Sequence, residues 1–77
     1  MIAIHFHHEL YDGFAIDEAV KVYAPFVSAE LSREPAAYLV KLTARAEAIE
    51  QGLDEETISA ELANYALGKT IERGGAG

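Results

Sequence analysis

No cysteine occurs in this chain, which removes disulfides, thiolate metal ligands and cysteine nucleophiles together and leaves the redox compartment open. Basic side chains are scarce, six Lys and Arg against thirteen Asp and Glu, giving a formal charge of −7. Such a surface repels phosphate backbones and anionic lipid headgroups, so neither nucleic acid nor a membrane is the expected partner. No stretch approaches the roughly 20 apolar residues that cross a bilayer, and Met1 to Leu10 has no basic segment followed by a long apolar run. The expected location is cytoplasmic. A phosphate-cradling glycine loop and a glycine elbow around a serine are also missing, so an enzyme acting alone is not expected, nor is a cofactor.

What the chain does have is an apolar fraction of 51%, normal for a folded domain and too high for a disordered acidic segment. Its 77 residues make one domain. A chain this short hides only about 60% of the surface its unfolded form exposes, so association with another chain would add to a thin stability margin.

Ile2, Ile4, Phe6 and Leu10 alternate with Ala3, His5, His7 and Glu9, the period of a strand with one buried face. Asp12-Gly13 marks a turn, after which Ile16, Ala19, Val20, Tyr23 and Ala24 recur at helical spacing. Pro25 ends that helix near Ala24. Val27, Ala29 and Leu31, then Tyr38, Val40 and Leu42, read as an antiparallel hairpin whose loop of about four or five residues lies in Arg33 to Ala37. Ala44 to Gln51 reads as a connector with partial helicity, stopped by Gly52. Asp54 then caps a second helix, with Glu55 and Glu56 at its positive end and Leu53 and Ile58 stapling the cap. This helix runs to Ile71 or Glu72. The expectation is a single α+β domain over residues 1–73, a β-α-β-β-α two-layer sandwich with three strands against two helices, followed by a disordered glycine-rich tail, 74–77.

At ~100° per residue, Ile58, Leu62 and Tyr65 share one face of the second helix, while Ala60, Ala63, Leu67 and Ile71 point roughly the opposite way. One face covers the sheet, and little else in so small a chain remains to cover the other. Ala60, Ala63, Asn64, Leu67 and Ile71 are therefore the candidate partner interface, for a homo-oligomer or another protein. The competing reading is a bent helix that packs the two stripes in turn.

The one polar cluster is His5-Phe6-His7-His8-Glu9. Alternation sends His5, His7 and Glu9 to one side, and two histidines with a carboxylate are a known ligand set for zinc or non-haem iron. Side chains two apart on a straight strand stand ~6.5 Å from each other, so closing three on one ion requires a bulge. A solvated strand face explains the same residues. A metal-binding catalytic or sensing domain is the alternative they keep open. The adjacent carboxylates Asp17/Glu18 and Glu55/Glu56 splay apart on a helix and read as helix-start charges.

Tyr23-Ala24-Pro25-Phe26 leading into Val27 to Leu31, then a hairpin, then Glu61-Leu62-Ala63-Asn64-Tyr65-Ala66-Leu67, resembles the HxsD-like proteins of the His-Xaa-Ser repeat peptide systems. In that family a helix ending in an aromatic pair precedes a strand, and the last helix carries a Glu-Phe-Leu-Asn-x-x-Leu-Asp type motif; Gly68 stands here where an acidic residue is common. The match covers roughly Glu9 to Arg73. The resemblance implies a small accessory protein encoded beside radical SAM enzymes that modify a short peptide, holding the enzyme or its precursor peptide rather than performing chemistry. It implies no catalytic residue. It carries over Asn64, as an amide on the partner side of the helix. An oligomeric scaffold of unrelated purpose is the remaining alternative.

Overall fold

A computed structural model describes residues 1–75. The elements are, in order, β1 (Ile2–His7), α1 (Gly13–Val22), β2 (Val27–Arg33), β3 (Ala37–Ala44), α2 (Ala46–Glu50) and α3 (Glu55–Glu72). The sheet order is β1-β3-β2, and β3 is antiparallel to both neighbours. β1 and β2 therefore run parallel with β3 between them, the split β-α-β arrangement, and α1 is the crossover that links them.

Strand alternation divides the sheet cleanly. Ala3, His5, His7, Ser28, Glu30, Ser32, Lys41 and Thr43 are exposed on one face. Phe6, Val27, Val40 and Leu42 on the other are buried against Ile16 and Ala19 of α1 and Ile58, Leu62 and Ala66 of α3. Each large apolar side chain so buried contributes about 1.5–3 kcal/mol, and their sum offsets the entropy of ordering the chain. The expected two-layer α+β fold is the observed one. Among the described residues, no helix is long and apolar enough to cross a membrane.

Both long helices begin at an aspartate. Asp12 accepts the Ala15 N–H at 3.1 Å and Asp54 accepts the Thr57 N–H at 2.7 Å, each satisfying a donor the helix leaves unpaired. The Asp54 carboxyl is held below its usual range by that bond. The far end of α3 is tied back to the start of α1, because Thr70 Oγ1 accepts the Asp12 N–H at 3.0 Å and Arg73 Nε donates to the Asp12 carboxylate at 2.7 Å.

Four boundaries differ from the expectation. β1 ends at His7, not Leu10. The His8 N–H makes a last bond to Ala36 O, and beyond that point β3 has already run into its own turn at Pro35. The chain turns there instead, with Leu10 and Tyr11 N–H both bonded to His7 O. The hairpin is tighter than expected, because Arg33 pairs with Tyr38 and the Glu34 N–H bonds to Ala37 O, leaving Pro35 at the tip. The connector after β3 forms a defined single-turn helix, α2, closed where Gly52 takes φ +85° and Leu53 N–H bonds back to Ala48 O. Gly74 and Gly75, expected to fray, close α3 through bonds to Ile71 O and Thr70 O at positive φ. Ala76 and Gly77 of the expected tail lie outside the described residues.

Candidate protein-interaction surface

α3 lies across β1 and β3 and beside α1. Ile58, Ser59, Leu62, Ala66 and Thr70 form the buried side. One flank belongs to α1: Tyr65 Oη donates to Glu18 Oε2 at 3.2 Å, and Lys69 Nζ stands 3.5 Å from the same carboxylate. Burial, then Glu18, pushes the Tyr65 phenol up; Glu18 and Glu72 together raise the Lys69 ammonium. At the helix start Glu55 bonds the Met1 amino group at 2.7 Å and the Ala44 N–H at 2.8 Å, and both bonds, the amino group first, hold its carboxyl below the usual range.

The predicted interface lies on the exposed arc of the helix, which also carries Glu56, Thr57, Glu61, Gly68 and Glu72. Ala60 and Asn64 are exposed and Ala63 half-buried, while Leu67 and Ile71 keep 41% and 68% of their surface in water. No side-chain hydrogen bond or ion pair among the described residues involves Asn64. One face does the packing from Ile58 to Thr70 while Leu67 and Ile71 stay exposed, so the competing reading, in which both stripes bury in turn, does not describe this fold.

Beside that flank runs the outer edge of β1. In an antiparallel ladder alternate residues direct both backbone groups to the same neighbour. The His8 to Ala36 bond sets the phase: Ile2, Ile4 and Phe6 face β3, and Ala3, His5 and His7 present their N–H and C=O groups outward. Among the described residues no strand pairs with this edge.

The residues of the metal reading are not brought together. Glu9 leaves the strand with the turn at His8, and the His5 ring lies 3.6 Å from Glu34 across the sheet end. Among the described residues, no three His, Asp or Glu are placed to hold a metal ion. His8, half-buried, tilts against the Tyr38 ring at 4.3 Å with its Nε2 buried and without a hydrogen-bond partner.

A cleft of about 430 Å³ opens at the start of α1, lined by Asp12, Gly13, Phe14, Asp17, Arg33 and Tyr38. Its carboxylates are already engaged. Asp12 caps α1 and pairs with Arg73, and Asp17 pairs with Lys21 at 2.8 Å, a bond that raises the lysine ammonium. Phe14 remains 72% exposed beneath the Arg73 guanidinium at 5.1 Å. The sequence pattern did not single out this cleft. Phe14 falls outside the α1 apolar stripe, which was a visible signal, whereas the approach of Tyr38 and Arg33 is set by the hairpin and has no local signature.

No family model, curated protein or solved structure matches this chain.

Proposed function

We propose that this chain is a non-enzymatic accessory protein that acts in the cytoplasm through protein–protein contacts, in a peptide-maturation system of the kind the HxsD resemblance implies. The supporting observation is the outward flank of α3. Ala60, Ala63, Asn64, Leu67 and Ile71 form a stripe at spacings of three and four, mostly exposed, while Ile58, Leu62 and Ala66 of the same helix fill the core. Exposed apolar residues gathered in one stripe mark interaction sites far more often than isolated ones do. On this reading the stripe holds a radical SAM enzyme, its precursor peptide or a second copy of the chain, and Asn64 supplies the one directional polar contact.

The test is calorimetric titration of the purified chain with a radical SAM enzyme and a His-Xaa-Ser repeat peptide of such a system. Binding to either that is lost in Leu67→Asp supports the reading. Absence of binding to both, by a wild-type chain that is also monomeric well above micromolar concentration, contradicts it.

A further inference from the structure

Resting on the reading of α3 as a protein-binding face, we infer that the face takes a second copy of this chain. The two β1 edges pair antiparallel about a two-fold axis, and the two α3 helices pack side by side above the seam.

The β1 edge is the unguarded one. Natural sheets protect open edges with charged residues, prolines or bulges. Ile2–His7 contains no Lys, Arg, Asp, Glu or Pro, and its outward backbone groups at Ala3, His5 and His7 stand in an unbroken ladder phase. β2, at the opposite edge, carries Glu30 and Arg33. A proper dyad through β1 matches the outward residues to one another, for example Ala3 to His7 of the second copy, and leaves the bonds to β3 intact.

Pairing the strands places the helices automatically. α3 lies over β1 and β3. Its symmetry mate then lies two strand spacings away, ~9.6 Å at ~4.8 Å per strand. Helices pack at 8–10 Å. The axis position agrees along the helix as well as across it. α3 begins above Met1, through Glu55, and ends beside Asp12, through Thr70, so an axis crossing β1 near Ile4 or His5 passes α3 near Ala63 and Asn64. Around that point the small Ala60 of one copy faces Leu67 of the other, and the stripe covers itself.

A peptide strand alone would satisfy the edge amides and leave the helix stripe wet; a second copy supplies a strand and a helix at once. The wall so formed is ~27 Å long, the length of an 18-residue helix, and two layers high. The opposing term is the charge of −7 on each copy, so association strengthens as salt screens it.

Light scattering coupled to size exclusion, on the whole chain at tens of micromolar, tests this with three variants. Leu67→Asp charges the stripe. His5→Pro removes an outward N–H without touching the β1–β3 bonds. Ala29→Pro does the same on the β2 edge as a control. The expected result is twice the 8.4 kDa chain mass for wild type and Ala29→Pro, with association weakened about tenfold or more in Leu67→Asp and His5→Pro while their far-ultraviolet dichroism is unchanged. A wild-type monomer across the concentration range overturns the inference, and so does a dimer indifferent to both variants. A monomer that still binds the radical SAM enzyme or peptide through Leu67 overturns the dimer alone and leaves the proposed function standing.

Discussion

Truncating two leucines five residues apart on α3 separates its structural side from its binding side. Leu62 is fully buried and Leu67 is 41% exposed. Leu62→Ala removes three carbons from the middle of the core, about 2.4 kcal/mol at ~0.8 kcal/mol per buried methylene, and adds a cavity term, for a total of about 3–4 kcal/mol. A domain of this length has a stability on the order of 4–12 kcal/mol, so that loss is a large part of the whole. Leu67→Ala leaves no cavity, because water already reaches the site, and costs about 1 kcal/mol or less. Urea unfolding followed by dichroism, at concentrations low enough to suppress association, reads both as shifts in midpoint at constant slope. Equal losses, or a larger loss at Leu67, would refute the assignment of faces on which the interface rests.

Three further outcomes test the local account. Gly68→Ala meets open space on an exposed helix and is expected to stabilise by about 1 kcal/mol, whereas Gly52→Ala places a side chain at φ +85° and is expected to cost about 1–2 kcal/mol; thermal melts of the pair show opposite signs. Gly13→Ala sets a new carbon 2.6 Å from Tyr38 Oη and 2.9 Å from Cζ, so the ring must leave its place against His8, at about 1–3 kcal/mol of stability by the same assay. Asp54 and Glu55 have folded pKa values below their unfolded ones, so their stabilisation is complete above the ordinary carboxylate value of roughly 4 and is lost as pH falls through the folded values. The acid limb of the stability profile should flatten in an Asp54→Asn, Glu55→Gln double variant; an unchanged limb would contradict this assignment.

Much of the fold was legible in the sequence because it rests on short-range signals. Asp54 with Leu53 and Ile58 announced α3, Gly52 closed the turn before it, and the alternation of Val27 to Leu31 and Tyr38 to Leu42 marked a hairpin. The end of β1 was not legible, because apolar spacing continues to Leu10 while the ladder stops where β3 reaches its own turn at Pro35, a fact about the partner strand. The strand order has the same character: nothing in Ile2–His7 states that it pairs with β3. Of the candidate surface, helical spacing set Leu67 and Ile71 apart from the Ile58 and Leu62 stripe, while their exposure and the open edge of β1 beside them emerged only with the structure. Asp12 reads in sequence as a turn residue; its roles as cap, as donor to Thr70 and as partner of Arg73 depend on α3 ending beside it.

Residue-resolved amide hydrogen exchange tests the central claim, that the β1 edge and the α3 flank form one protein-binding surface. At concentrations where the chain associates, the Ala3, His5 and His7 amides should be protected, while Ala29 and Leu31 on the outer edge of β2 exchange fast. Dilution or Leu67→Asp should release the first set and leave the second unchanged. Equally fast exchange at both edges under associating conditions would contradict the account.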